Sequence, residues 1–479
     1  MSRAVSPAPH TRFDRRLLAP MVLGSILNPI NSSIIAVALV PIASAFGAAA
    51  SETAWLVSAL YLATSVGQPL AGRLVDSLGP RRVFLVGTAL TGLAGIAGML
   101  APTLGVLIAA RVVLGLGTCA GYPSSMYLIR REAERTGEDN PTGVLTVLAV
   151  ANQTIAVIGP TLGGILVGVW GWRATFAVNV PLSIACVVLG ALFLPRASSA
   201  RPGTDETGAP STGSGRSLPW FARFDVLGIL SFTATLVALL LFLMDMRLET
   251  LWLLLAAIVG GGCFAVRELR AASPFIDVRV FAGNVPLIAT YLRAILSALV
   301  MYALLYGFTQ WLESGYGLSP SGAGLVLLPT FAAAIVVSST TGRLREIAWK
   351  LRIGAILQLA AGILLLFAGG SSPLWYLVGI AILSGVPQGL LGLGNQNALY
   401  AQADADKVGA SAGLLRTFSY VGAILASAAS GAFFGEHADT AGLHELAWLM
   451  VSASAALVLL TVFDRSLARV RPRGRPASP

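Results

Sequence analysis

Charge is scarce in this chain of 479 residues: only 11% are Asp, Glu, Lys or Arg, against about 25% in soluble domains. So little polar surface cannot cover a soluble core of this length, which excludes an ordinary cytosolic protein. Cysteine is almost missing. Cys119, Cys186 and Cys263 each lie inside an apolar run, so neither a disulfide framework nor a metal site is indicated. Histidine is limited to His10, His437 and His444, all outside the apolar runs. No H-E-x-x-H, P-loop or Rossmann pattern is present. An intramembrane enzyme or an ATP hydrolase would need buried groups of those kinds, so the chain is read as no enzyme and as using no cofactor.

What the chain has is hydrophobic residues, 56% of the total. They fall into blocks of the length that spans about 30 Å of hydrocarbon as a helix. Fourteen such blocks are expected, near 17–42, 55–75, 83–99, 104–128, 144–167, 174–194, 226–244, 251–266, 285–312, 323–339, 351–367, 374–394, 408–434 and 446–463. The eighth is short and glycine-rich (Gly260, Gly261, Gly262). The first follows Arg12, Arg15 and Arg16 and precedes Ala-Ser-Ala, but its run is about twice a signal-peptide core. It reads as an uncleaved spanning helix.

The formal net charge of +10 invites a nucleic-acid reading. Its distribution argues for a membrane surface instead. With the N-terminus in the cytosol and spans alternating, 27 of the 32 Lys and Arg fall in cytosolic segments. Only Arg173 and Arg247 fall outside, and Arg111, Arg293 and Arg416 lie within spans. That asymmetry is the positive-inside pattern, and adding or dropping one helix would scramble it. Both termini are therefore expected in the cytosol. The stretch 196–224, rich in Ser, Gly, Pro and Thr, reads as a linker. The expected organisation is a cytosolic tail (1–16), a six-helix half (17–195), the linker (196–224), two inserted helices (225–270), a second six-helix half (271–464) and a basic tail (465–479). Gly72-Arg73-Leu74 recurs as Gly342-Arg343-Leu344 at corresponding places in the two halves, as in transporters built from repeats.

The run Gly72-Arg73-Leu74-Val75-Asp76-Ser77-Leu78-Gly79-Pro80-Arg81-Arg82 resembles the signature loop of the major facilitator superfamily. Gly72 would permit close approach of a helix end, Gly79-Pro80 a tight reversal, and Arg81 and Arg82 an anchor at the anionic leaflet. The resemblance implies that Asp76 latches the halves in the outward-open state, against the region from Lys407 to Ser411. The alternative is a charged turn that only stops translocation. A second run, Gly159-Pro160-Thr161-Leu162-Gly163-Gly164, followed by Trp172-Arg173, Phe176, Asn179 and Pro181, is similar to the antiporter signature of drug exporters. Pro160 would bend the helix and the glycines would admit a close neighbour. The glycine expected four positions earlier is Ile155. Ordinary tight packing is the alternative. Phe264…Arg267-Glu268…Pro274 to Phe281, Gln310 with Gly317 to Pro329, and Gly409 to Gly422 fit the 14-spanner drug/proton antiporter branch.

The resemblance implies an all-α membrane protein of two six-helix halves plus two extra helices, exporting small amphipathic molecules on the proton gradient. It departs from the pattern at the first helix, where the family's acid is Asn31. Every acidic residue falls at or beyond a span end: Asp76 and Asp225 at inner ends, and Glu52, Asp245 and Glu313 at outer ends. No buried carboxylate is therefore expected to carry protons or meet a cationic substrate. The buried charges are arginines, each costing about 2.5–3.5 kcal/mol at a helix centre. Arg111 matches the fourth-helix signature arginine, for which the resemblance implies a part in proton coupling, with Leu114 in place of a frequent Gln. Arg293 and Arg416 lie about 12 Å deep at 1.5 Å per residue. They either snorkel and bond carbonyls or together attract an anionic substrate group. Asn28, Tyr61, Asn152, Gln153, Tyr302, Gln388 and Asn395 are polar at mid-span. Singly each serves packing; together with Asn31, Arg293 and Arg416 they suggest a polar cavity between the halves.

The leading reading is a plasma-membrane secondary exporter of drugs, antibiotics or metabolites. It would act as a monomer by alternating access, with lipid, a small-molecule substrate and protons as its partners and no nucleic acid. An exporter of an anionic metabolite without carboxylate coupling, and a membrane sensor that has lost transport, are the alternatives.

Overall fold

The computed structural model describes residues 14–136, 142–195, 225–244, 248–271, 274, 279, 284–341, 346–403, 408–464 and 466–469. The linker and most of both tails lie outside the described residues. Among the described residues all regular structure is helical and no strand occurs.

The first block is α1 (Leu18–Ile34), a 3-10 turn (Ile35–Val37) and α2 (Leu39–Phe46). Then follow α3 (Ala50–Leu78), α4 (Pro80–Met99), α5 (Leu104–Thr118), α6 (Gly121–Thr136), α7 (Thr142–Trp170), α8 (Ala174–Ala177) and α9 (Asn179–Phe193). After the linker come α10 (Val226–Met244) and α11 (Leu251–Arg270). The remainder is α12 (Val285–Tyr302), a π-helical turn (Ala303–Phe308), α13 (Thr309–Ser314), α14 (Pro320–Thr341), α15 (Ile347–Leu365), α16 (Leu374–Gln402), α17 (Val408–Phe434), α18 (Thr440–Phe463) and α19 (Ser466–Arg469). Side-chain caps define several starts. Thr103 accepts from the Val106 amide, Asn284 from Leu287 and Asp439 from Gly442, each satisfying an amide that the helix leaves orphaned.

Among the described residues, twelve helical runs are long and apolar enough to cross a membrane. Fourteen were expected, and the difference lies in α3 and α7. Each has 29 residues and packs within the bundle. Helix α3 carries Glu52, Gln68, Arg73 and Asp76, which lower its mean hydropathy, whereas several side chains of α7 lie outside the described residues.

Contacts at the helix ends define two poles. At one, the Ala50 amide bonds the Glu436 carbonyl, Phe46 touches Trp172, and Trp311 Nε1 donates to Thr440 Oγ1. At the other, Arg81 donates to the Ala191 carbonyl, Asn284 to that of Gln402, and Arg293 pairs with Asp464. The second pole carries most of the arginines and is called the basic end below. The largest buried apolar cluster joins early and late helices around Leu39, Leu56, Phe308, Trp311 and Leu327. Outward faces are apolar: Leu93, Leu192, Leu255 and Phe463 are all exposed, as a lipid-facing surface requires. Helices α10 and α11 are the most peripheral, pairing with each other and touching α3 and α17.

Candidate substrate cavity

Helices of the first and second parts of the chain meet closely at the pole away from the basic end. Ser427 Oγ donates to the Ala54 carbonyl at 2.8 Å, joining α17 to α3. Ser321 Oγ donates to the Gly164 carbonyl at 2.7 Å, and Thr161 Oγ1 to that of Gly324 at 3.2 Å, joining α14 and α7. The antiporter-like run sits at this second seam. A Cβ on Gly164 would lie 2.6 Å from the Pro320 carbonyl oxygen, and one on Gly163 2.7 Å from that of Ile34. A Cβ on Gly159 would overlap the Ser33 hydroxyl. Pro160 lies within α7, and its own carbonyl abuts Gly324. These residues are small because backbones touch there.

Beneath that closed end lies a cavity of about 670 Å³, lined by α1, α7, α12, α14, α15, α16 and α17 and by α18 at Met450. It runs from Tyr302, Leu305 and Thr330 at mid-bundle to Ser339 and Gln396 near the basic end. Its ceiling is aromatic. Tyr61 and Tyr306 share a hydrogen bond at 2.8 Å, and Tyr306 OH also reaches the Ser32 carbonyl at 2.8 Å. Tyr61 lies 5.2 Å from Tyr302 and 5.5 Å from Tyr420 between ring centroids, while Tyr302 stacks on Tyr306 at 5.8 Å. The π-helical turn starts directly after Tyr302, a distortion often found at functional sites.

Of the residues expected in the cavity, Asn28, Asn152, Tyr302, Gln388, Asn395 and Arg416 line it. Asn28 Nδ2 donates to Thr118 Oγ1 at 3.1 Å, and Asn395 Nδ2 to Ser297 Oγ at 3.4 Å. The Gln153 side chain is outside the described set. Tyr61 sits above the cavity, fully buried. Asn31 does not line it: its amide forms a reciprocal pair with Asn179, at 2.6 and 2.8 Å. Two neutral amides thus satisfy each other where the family pattern has an acid. Arg293 does not face the cavity either. It is fully buried, bonds Asp464 at 2.6 Å and Thr290 at 2.5 Å, and ties α12 to the end of α18. Asp464 lies beyond the membrane segment. Burial pushes its carboxyl up, but bonds from Ser466 and Arg293 outweigh this and hold it below the usual range.

Arg111 is buried within the early helices, apart from the cavity wall. Its Nε donates to the Leu56 carbonyl at 2.9 Å and one terminal nitrogen to that of Asn31 at 3.1 Å; the other terminal nitrogen has no partner. Arg416 is half-buried at the cavity, its guanidinium carbon 4.3 Å from the Tyr122 ring centroid. Tyr122, Tyr306 and Tyr420 escaped sequence reasoning. The only available signal was spacing: Tyr306 follows Tyr302, and Tyr420 follows Arg416, by four residues, one helical turn.

In the signature loop, Gly79 has φ +84° and its amide closes the last turn of α3 on Val75, while Pro80 opens α4. The tight reversal is therefore present. A Cβ on Gly72 would meet nothing within 4 Å in this arrangement. Arg81 is anchored on Ala191, Arg82 is exposed, and Arg73 donates to the Pro274 carbonyl. The Asp76 side chain and residues 404–407 are outside the described set, so the latch is not visible.

Carboxylates also need correction. Glu268 and Glu313 are buried, at 0% and 8% exposure, although both sit near helix ends as expected. Glu268 and Asp225 share Arg267 at the basic end. Burial raises the Asp225 carboxyl, but hydrogen bonds from Arg267 chiefly, and from the Gly228 amide, bring it down to about 2. Neither oxygen of Glu313 has a hydrogen-bond partner.

A membrane-embedded helical bundle with a polar, aromatic cavity between early and late helices defines a small-molecule transporter rather than an enzyme. The Major Facilitator Superfamily model matches residues 21–427, and the chain belongs to that family. It is 31% identical over 459 residues to the MFS-type transporter YwoD of Bacillus subtilis, covering 93% of this chain and 96% of that one. It is 27% identical to the tetracenomycin C resistance and export protein of Streptomyces glaucescens, covering 86% and 74%. The multidrug resistance protein Stp of Mycobacterium tuberculosis is 30% identical, with 72% of this chain and 61% of Stp covered. A peptide transporter POT, solved with alafosfalin, shares the fold at a TM-score of 0.68 and 15% identity, covering 96% and 95%.

Proposed function

We propose that this protein is a secondary active exporter of small amphipathic molecules in the plasma membrane, acting as a monomer by alternating access. Fourteen helices would cross the bilayer, with α3 and α7 completing the twelve apolar ones and both termini in the cytosol. The basic end then faces the cytosol, and the arrangement is the inward-facing state, open to substrate from within. The observation that carries this reading is the cavity: sealed at one pole by α3–α17 and α7–α14, and reaching toward the arginine-rich pole. Opposite movement of the two sets of helices would open the other side. The names of relatives that export or resist antibiotics support efflux as the direction.

Coupling to protons is proposed from family membership, with Arg111 as the buried charge to test. In the outward-open state Asp76 would latch the basic end against the start of α17. A drug-susceptibility panel with and without expression, at two external pH values, tests the reading. Protection against several amphipathic compounds that weakens at the higher external pH is expected. Silence across the panel and in proteoliposomes would favour the membrane sensor.

A further inference from the structure

We propose that the cavity selects aromatic molecules bearing an anionic group, a carboxylate or phenolate, and that Arg416 binds that group. This rests on the cavity being the substrate site of the proposed exporter. Arg416 is the only charged side chain among the described residues that line the cavity, so the cavity's own charge has one sign. Arg293 has Asp464 and Arg267 has Asp225, while Arg111, which has no carboxylate, bonds the Leu56 and Asn31 carbonyls. Among the described residues no carboxylate and no hydrogen bond engages Arg416. The Tyr122 ring lies 4.3 Å from the guanidinium carbon, covering the cation with a π surface and leaving its N–H donors unclaimed.

A half-buried guanidinium without an anion is only partly compensated by its cation–π contact. A ligand carboxylate would compensate it further through two parallel N–H···O bonds, which the planar fork favours. Tyr302 and Tyr420 also line the cavity and offer ring contacts for an aromatic body. Ser297, Gln388 and Asn395 add hydroxyl and amide groups. A dication would meet a like charge and no carboxylate on this wall, which excludes it by repulsion as well as by lack of attraction.

The test uses the full-length protein in lipid nanodiscs, titrated calorimetrically with naphthoate, its neutral isostere naphthamide, and methyl viologen. Wild type is expected to bind naphthoate about tenfold to a hundredfold more tightly than naphthamide, the range for a charge-assisted pair. Methyl viologen is expected to bind more weakly than either. Arg416→Gln should erase the difference between naphthoate and naphthamide while leaving naphthamide affinity in place, and Arg416→Lys should keep part of it. Equal wild-type affinities, discrimination surviving in Arg416→Gln, preferred methyl viologen, or no naphthoate binding by wild type would each overturn the proposal. Transport is read separately in proteoliposomes. Selective binding without movement would sink the exporter reading and leave the ligand class standing.

Discussion

Asn31 and Asn179 lie 148 positions apart and close a two-way amide bond inside the bundle. Removing one partner strands the other in a low-dielectric interior, at about 1–3 kcal/mol. Asn179→Ala should therefore lower the thermal midpoint in detergent, and Asn31→Ala combined with Asn179→Ala should cost less than the two losses added. The ion pair at Arg293 behaves differently. Its pairing partner, Asp464, is held below the ordinary carboxylate range in the folded state. The linked stability is thus fully present above the unfolded value, about 4, and is lost as pH falls through the depressed folded one. Arg293→Ala should cost about 3 kcal/mol near neutral pH. The gap from wild type should narrow below about pH 4 in unfolding scans. At this scale sequence reading found the polar residues but not their orientation. Arg293 and Arg416 look alike along the chain, each inside an apolar block. Only the tertiary fold gives one an aspartate from α18's end and the other a tyrosine from α6.

Among the elements, α7 and α14 explain the antiporter-like run most directly. Gly164 lets the Pro320 carbonyl approach to a distance that a Cβ would occupy. Gly164→Ala should prevent that seam from closing and reduce transport at least about tenfold at normal expression. Gly72→Ala, with open space around it, should leave transport near wild type. Similar losses in both would show that contact distance is not what those glycines provide. Apolar blocks and arginine placement led to an expectation of fourteen spans, and among the described residues twelve helical runs are long and apolar enough to cross a membrane. Breaks were harder to see. The first block divides at Ala38, the fourth at Cys119 and Ala120, and the ninth passes through a π turn after Tyr302. Apolar periodicity barely changes across such breaks, so nothing in composition marks them.

For the whole molecule, membrane residence followed from how little charge the chain holds, and the family from two short motifs. The conformational state was not legible, because a sequence capable of alternating access must encode both states. In the structure the state is set by which seams are closed. A Cβ on Gly431 would lie 3.0 Å from Ala54 Cβ across the α3–α17 seam, close enough for a cysteine pair to bridge after small shifts. The decisive measurement is substrate efflux by proteoliposomes containing Ala54→Cys with Gly431→Cys, with exposed Cys263 replaced, before and after oxidation. Alternating access predicts that oxidation stops efflux and that a reductant restores it. Undiminished efflux through a fully crosslinked protein would contradict the account.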